Sequence, residues 1–239
     1  MNVLVTGGAS GIGEAITRLF SKQQNMQVYF TFNSSSQKAK ELTTTFSNVH
    51  AIKCNFSSTE DVQSLINLIH GWNIDLLINN AYAGEFLKTH FHKIDPTEFS
   101  NDFNNTVIPT IRITQAAIDT FRKKKSGKII TILTTALNDP PVGSSVYVAT
   151  KAYLEKLTKI WALENVKYNI TSNSVSPSFL QTNFTKNIDE RIVEQIKENS
   201  PLKKLLTVEE VAEKVLFLAN SSSEINGIDI TLGTEENDK

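Results

Sequence analysis

Short apolar runs rich in β-branched residues alternate along the chain with segments whose apolar residues recur every three or four positions. The first run is VLVTG, and the segment after it has apolar residues at positions 12, 15, 16, 19 and 20, which is a helical spacing. The run IDLLIN is almost continuously apolar, as is typical of a parallel strand covered on both faces. The predicted strands are 3–7, 28–32, 49–54, 74–79, 127–133, 169–175 and 227–232.

Helical segments separate these strands. The segment STEDVQSLINLIH opens with Ser58 and Thr59 and an acidic first turn, as helix N-termini prefer. A long helical segment runs from about Thr97 to Lys125, and further helices begin near residues 145 and 207. The alternation predicts an α/β fold: a single-domain, Rossmann-type, doubly wound parallel sheet of about seven strands with helices on both faces. No linker or repeat interrupts it, so residues 1–239 are interpreted as one domain.

Composition narrows the classes of partner and compartment. The chain is 40% hydrophobic and 21% charged with a net charge of −1, which gives no reason to expect a nucleic-acid or membrane partner. The single cysteine, Cys54, excludes an internal disulfide framework and suits a reducing compartment. The N-terminal MNVLVTGG leads directly into a strand and leaves no room for a signal peptide. We therefore expect a cytoplasmic protein.

A glycine-rich turn, TGGASGIG, joins the first predicted strand to the first helix. Gly7, Gly11 and Gly13 would allow a tight turn and let backbone N–H groups approach a pyrophosphate at the helix N-terminus. The alternative is a turn that needs only the backbone freedom of glycine. Its place between the first strand and the first helix favours a dinucleotide site.

The glycine spacing, G-x-x-x-G-x-G, resembles that of the short-chain dehydrogenase/reductase family, and further segments extend the resemblance over essentially the whole chain. LINNA at 77–81 and YVATK at 147–151 match family motifs, and VSPSFLQT at 175–182 is similar to a third, with Ser178 in place of a glycine. The C-terminal INGIDITLG resembles the family's ending. The resemblance implies hydride transfer between a nicotinamide and a carbonyl or alcohol, with 3-oxoacyl reduction as the best-matching reaction.

Tyr147 and Lys151 are the candidate catalytic pair. Positions four apart on a helix share a face, and a nearby cation lowers the pKa of a phenol, so the lysine can tune the tyrosine as a general acid. The resemblance also implies that Lys151 holds the nicotinamide ribose. The family places a serine thirteen residues before the tyrosine, and this chain has Thr134 there. We expect the Thr134 hydroxyl to bond the substrate oxygen in its place, with Thr135 as the alternative.

Two positions depart from the family pattern near this pair. The family's relay asparagine falls on Thr106, unless a local bulge caused by Pro109 brings Asn105 into place. Tyr82 replaces a glycine and is expected to narrow the nicotinamide side of the cleft. We therefore predict Thr106 as the fourth catalytic residue, with Asn105 as the alternative.

The resemblance also implies a cofactor, a set of contacts and an assembly. No carboxylate follows the second strand, where Phe32 precedes NSSS, so NADP(H) is favoured over NAD(H). Homodimers or homotetramers are expected, and no metal site is predicted, because His90 and His92 lack further ligands at suitable spacing. The predicted cofactor-binding residues are Gly7, Ser10, Gly11, Ile12, Gly13, Asn33, Ser34, Asn55, Phe56, Asn79, Ala81, Tyr147, Lys151, Pro177, Leu180 and Thr182.

The substrate is expected to be a small carbonyl or alcohol compound. A substrate loop is predicted at about 183–203, and PPVGS at 140–144 is expected to line the opposite side of the cleft. The departures at positions 82, 106, 134 and 178 support a rival interpretation, a catalytically impaired dinucleotide-binding protein with a regulatory or structural role. The retained tyrosine and lysine favour the enzyme.

Overall fold

Seven parallel strands form one sheet in the computed structural model, which describes residues 1–84, 89–182, 185, 189–200 and 202–233. The strands are β1 (Asn2–Val5), β2 (Gln27–Phe32), β3 (Val49–Lys53), β4 (Leu76–Asn79), β5 (Gly127–Ile132), β6 (Ile170–Pro177) and β7 (Asp229–Leu232). Their order across the sheet is β3-β2-β1-β4-β5-β6-β7. The sheet therefore grows in opposite directions from β1, which pairs with both β2 and β4.

This order confirms the predicted Rossmann-type sheet and places its switch point between β1 and β4. In such sheets ligands bind outside the carboxyl ends of the strands, where the order reverses. The central strands are apolar because both of their faces are covered: Leu76, Leu77 and Ile78 of β4 are fully buried.

Helices cover both faces of the sheet. They are α1 (Gly11–Ser21), α2 (Ser36–Thr45), α3 (Thr59–Trp72), α4 (Pro96–Asp102), α5 (Ile108–Lys124), α6 (Ser145–Asn165), α7 (Glu190–Asn199) and α8 (Val208–Asn220). Helices α1, α2 and α8 pack on one face around Phe20, Phe30 and Leu42, and α3, α5 and α6 pack on the other around Leu65 and Phe121. No helix within the described ranges is long and apolar enough to cross a bilayer.

The long helical segment predicted from about Thr97 to Lys125 is continuous but irregular. A π-helical turn, Phe103–Val107, joins α4 to α5, and Ile108 N–H donates to Phe103 O, five residues back. Pro109 lies at the start of α5 and has no N–H to continue the regular hydrogen-bond pattern. The irregularity expected near Pro109 is therefore present.

The predicted substrate loop contains a helix that the sequence analysis does not assign. Helix α7 begins after Asp189, whose carboxylate accepts from Arg191 N–H at 2.8 Å, and its apolar side buries Val193. Within 183–203, residues 183, 184, 186–188 and 201 lie outside the described part of the chain.

Candidate active site

A cavity of about 900 Å³ opens at the carboxyl ends of β1, β4, β5 and β6. It collects residues from both halves of the chain, and most of the predicted site residues line it. Those on its wall are Gly7, Ser10, Gly11, Ile12, Asn33, Ser34, Asn55, Phe56, Ala81, Thr134, Tyr147, Lys151, Pro177, Leu180 and Thr182. Three predicted residues, Gly13, Asn79 and Thr106, lie behind the wall.

The glycine turn has the backbone geometry that its sequence requires. Gly7 and Gly11 have φ values of +68° and +52°, a region that side chains disfavour. A Cβ on Gly13 would lie 2.1 Å from Gly7 O, so this position tolerates no side chain although it does not face the cavity. The turn packs against itself and leaves its outer surface free for a ligand at the N-terminus of α1.

Two polar residues that the sequence analysis does not name fix this turn to the sheet. Thr6 Oγ1 accepts hydrogen bonds from Asn80 N–H at 2.9 Å and Ala81 N–H at 3.0 Å. Asn80 Nδ2 donates to Thr6 O at 2.9 Å and Gly7 O at 3.2 Å. Asn79, by contrast, turns away from the cavity and donates to Thr114 Oγ1 of α5 at 3.0 Å. Side chains alternate across a strand, which is why neighbouring asparagines serve opposite faces of the sheet.

The predicted proton donor lies beside the predicted hydroxyl. Tyr147 projects from the first turn of α6, and its hydroxyl hydrogen-bonds with that of Thr134 at the end of β5. Burial raises the pKa of Tyr147 to about 12, and the bond from Thr134 acts in the opposite direction. Thr135 also lines the cavity, in the short helical turn after β5, and the structure pairs Tyr147 with Thr134 rather than with Thr135. The site therefore keeps the phenol protonated but makes it a weaker acid than a free tyrosine, which is opposite to the lowering by Lys151 that the sequence analysis expects.

Lys151 lies one turn further along α6 with only 4% of its surface exposed. Its Nζ donates to Ile132 O at 2.8 Å and lies 5.9 Å from the centre of the Tyr147 ring. Burial lowers the pKa of Lys151 to about 8, and the charge of Asp102 opposes this effect. The ammonium is therefore close to the tyrosine but titrates nearer to neutral pH than an exposed lysine does.

Tyr82 lines the cavity beside the candidate pair. Its ring stands edge-on to that of Tyr147, with the centroids 5.2 Å apart, and Lys151 Nζ lies 5.8 Å from its centre. Burial, followed by the charge of Asp102 and a hydrogen bond to it, raises the pKa of Tyr82 far above its usual range. Tyr82 is thus a permanent hydrogen-bond donor next to the candidate acid.

The predicted relay residue is sequestered. Thr106 is fully buried in the π-helical turn, and its Oγ1 accepts from Ala83 N–H at 3.3 Å. Asn105, the alternative, is half-buried, and like Thr106 it is not part of the cavity wall. The irregular turn expected from Pro109 is present, yet neither side chain reaches the cavity.

The far end of the cavity would receive the adenosine half of a dinucleotide. Asn33, Ser34 and Ser35 follow β2 and precede the first residue of α2. Asn55 is fixed there because its backbone N–H donates to the Asp61 carboxylate at 2.8 Å. Among the described lining residues, Asp139 carries the one carboxylate, and it belongs to the loop before α6 rather than to the end of β2.

Comparisons with known proteins agree with this architecture. A family model described as enoyl-(acyl carrier protein) reductase matches residues 7–232. A 3-oxoacyl-[acyl-carrier-protein] reductase from Aquifex aeolicus is 30% identical, with 91% of this chain and 89% of that protein covered. An L-xylulose reductase from Aspergillus niger is 32% identical, with 89% of this chain and 79% of that protein covered. A solved structure described as a short chain dehydrogenase/reductase family protein superposes with a TM-score of 0.84 at 30% identity, covering 97% of this chain and 95% of the other.

Proposed function

Because the chain belongs to the short-chain dehydrogenase/reductase family, we propose that it is an NADP(H)-dependent reductase of 3-oxoacyl thioesters. Membership rests on the family model that matches residues 7–232 and on the 30% identity to a relative covered over most of both chains. The chain is accordingly an oxidoreductase of the NAD(P)-dependent type. The preferred cofactor, the substrate and the assembly are the parts we propose.

The glycine turn fits a dinucleotide. Gly13 leaves no space for a side chain against Gly7 O, and Gly7 and Gly11 adopt positive φ, so the loop presents backbone rather than side chains to the cavity. Residues 7–12 would hold the pyrophosphate, and Tyr147 and Lys151 would hold the nicotinamide ribose. The nicotinamide, when bound, supplies the hydride.

The observation that carries the proposal is the protonated Tyr147 hydroxyl, hydrogen-bonded to Thr134 and backed by Lys151. The phenol keeps its proton at neutral pH, as an ordinary tyrosine does, and its place beside Thr134 lets it donate that proton to a carbonyl oxygen held by the Thr134 hydroxyl. The Lys151 ammonium then stabilises the phenolate that remains. Reduction therefore starts from the protonation state that the site already has.

The substrate side of the cavity is largely apolar. Pro140 and Pro141 line it before α6, and Phe179 and Ile196 line it from the segment after β6 and from α7. Such a wall suits an acyl chain better than the hydroxyl groups of a sugar. We therefore favour a 3-oxoacyl substrate, which also agrees with the name of the Aquifex aeolicus relative.

The cofactor preference follows from the end of β2. Asn33 and Ser34 occupy the position at which a carboxylate would accept from a ribose 2′-hydroxyl and repel a 2′-phosphate. Their side chains can donate to a phosphate, and the N-terminus of α2 directly behind them favours negative charge. NADP(H) is the proposed cofactor.

We also expect a homodimer or homotetramer in the cytoplasm. Helix α6 exposes apolar side chains on its outer side, with Leu163 78% exposed and Ile160 44% exposed, and a second copy would cover them. Light scattering on the purified protein measures the assembly, and fractionation of cells that produce it measures the compartment.

The function is tested by following NADPH oxidation with purified protein and a substrate panel. The panel contains 3-oxoacyl thioesters of increasing chain length and L-xylulose. We expect turnover of the thioesters, loss of turnover in Tyr147→Phe, and retention in Tyr153→Phe, which makes the same change at an exposed position of α6. Turnover of the sugar alone would contradict the substrate, and cofactor binding without any turnover would support the impaired-enzyme interpretation.

A further inference from the structure

A buried carboxylate lies behind the catalytic pair, outside the cavity wall. Asp102 ends α4 and is only 6% exposed. Its Oδ2 accepts a hydrogen bond from Thr150 Oγ1, and the Tyr82 hydroxyl lies near the same carboxylate, whose charge contributes to the raised pKa of that phenol. Both residues flank the candidate site, since Thr150 precedes Lys151 on α6 and Tyr82 lies edge-on to Tyr147.

The Lys151 ammonium is buried without a carboxylate in direct contact. Within the described ranges, no carboxylate oxygen lies within 4.0 Å of its Nζ. The titratable groups facing it are Tyr147 from α6, Tyr82 from the segment after β4 and Asp102 from α4. Of these, Asp102 carries the negative charge. A buried ammonium with no counter-charge loses its proton readily, because burial penalises the charged form.

We propose that Asp102 is a positioning residue that keeps Lys151 protonated behind Tyr147, and that Tyr82 and Thr150 hold its carboxylate in place for this role. The bond from Thr150 and the nearby Tyr82 hydroxyl stabilise the carboxylate without neutralising it, so its charge still acts on the lysine. The catalytic consequence rests on the proposed function, because a protonated Lys151 matters only if it stabilises the phenolate of Tyr147.

Two of the departures from the family pattern, at positions 106 and 82, bear on the surroundings of Lys151. The hydroxyl of Thr106 accepts from Ala83 N–H and does not reach the cavity, so the relay position offers nothing to Lys151. Tyr82 brings the hydroxyl that a glycine would lack, and it points to Asp102. The polar environment of the lysine is thus supplied from α4 and from Tyr82 instead of from position 106.

A double-mutant cycle in thermal stability tests the charge coupling without any reaction. Asp102→Asn keeps the shape but removes the charge, and Lys151→Met removes the ammonium. We expect the double variant to unfold at a temperature at least as high as Asp102→Asn alone, because the second change removes the buried charge that the first left unpaired. Losses that simply add would overturn the proposal. If Asp102→Asn does not fold, a folded double variant supports the coupling and an unfolded one contradicts it.

A matched control uses Asp139, the carboxylate that does line the cavity. Asp139 lines the wall but is exposed and exerts no comparable charge effect on Lys151. Asp139→Asn combined with Lys151→Met should therefore give additive changes in the unfolding temperature. Coupling of the same size in this pair would show that the effect reflects net charge rather than Asp102, and would also overturn the proposal.

The pH profile of NADPH-dependent reduction tests the catalytic consequence. Activity is lost as pH rises through the pKa of Lys151, and removal of the counter-charge lowers that pKa. In Asp102→Asn the alkaline loss should therefore move to lower pH by about one unit or more. A lower rate with an unmoved profile would indicate a merely structural residue. If the wild-type protein reduces none of the carbonyl substrates, the proposed function fails. The double-mutant cycle in thermal stability still shows in that case whether Asp102 and Lys151 are coupled.

Discussion

Replacement of Gly13 by alanine should damage the protein even though Gly13 does not line the cavity. The added Cβ would lie 2.1 Å from Gly7 O and 2.6 Å from Asn80 Nδ2, and neither atom can move alone. Gly7 O belongs to the turn backbone, and Asn80 Nδ2 is fixed by its hydrogen bond to Thr6 O. The turn must therefore separate from the end of β4 to admit one methyl group.

The size of the effect follows from these contacts. Overpacking costs about 1–3 kcal/mol, and loss of the hydrogen bond from Asn80 to Gly7 O adds about 0.5–1.5 kcal/mol. Alanine recovers about 0.5–1 kcal/mol in a helical position, which leaves a net loss of about 0.5–4 kcal/mol. For a chain of this length each kcal/mol lowers the melting temperature by about 2–4 °C. Because the turn also forms the proposed pyrophosphate site, the Kd for NADPH should rise about tenfold or more.

The chain offers a matched control for this experiment. Gly71 lies in the last turn of α3, and a methyl group added there would meet no atom within 4 Å, so Gly71→Ala should raise the free energy of unfolding by about 0.5–1 kcal/mol. Thermal unfolding and fluorescence titration with NADPH measure both variants. If Gly13→Ala were as stable as Gly71→Ala and bound NADPH as tightly as the wild type, the close contact with Gly7 O would not be the reason that position 13 requires glycine.

Three further predictions concern the chemistry of the cavity. Tyr147→Phe should lower the rate of carbonyl reduction by about 10²–10⁴ with the Kd for NADPH nearly unchanged, because it removes the transferable proton and keeps the ring. Tyr153→Phe should have no such effect, and more than half the activity left in Tyr147→Phe would mean a different proton donor. Reduction should also slow above pH 8, since a lysine with a pKa of about 8 is roughly nine-tenths protonated at pH 7 and roughly one-tenth at pH 9. A rate that stayed constant up to pH 9 would mean that the reaction does not depend on the protonation of Lys151. Asn33→Asp should shift the ratio of the Kd values towards NAD(H), because a carboxylate there accepts from a ribose hydroxyl and repels a phosphate; an unchanged ratio in the two titrations would place the discriminating contact elsewhere.

The fold could be predicted because each strand and helix carries its own local pattern. The apolar run around β4 and the helical spacing after Gly11 depend only on neighbouring residues, and the parallel arrangement of the strands follows from strict alternation. The prediction missed helix α7 because it interpreted the whole of 183–203 as a substrate loop. Asp189 before a segment with apolar residues at 192, 193 and 196 is nevertheless a helix-start signal, so the local pattern indicates this helix as well.

The site was only partly predictable, because its supporting contacts join residues that are distant along the chain. Tyr147 and Lys151 lie on one helix face, so their spacing alone brings them together. Asp102 meets Thr150 across 48 residues, and nothing in the sequence around either one distinguishes a buried carboxylate from a solvated one. Thr6 and Asn80 are similarly separated by 74 residues and meet only because β1 and β4 are neighbours in the sheet.

The π-helical turn at 103–107 could be predicted only in part from the local sequence. Pro109 lacks the N–H that a regular helix needs, so an irregularity near it could be predicted from the sequence. The direction in which the extra residue turns the helix depends on what packs around it. Here the turn buries Thr106 against Ala83 N–H and leaves Asp102, the last residue before it, facing Thr150 on α6. The sequence therefore predicts the break, whereas packing between α4, α6 and the segment after β4 decides that Asp102 is the polar group that meets Thr150, next to the predicted catalytic Lys151.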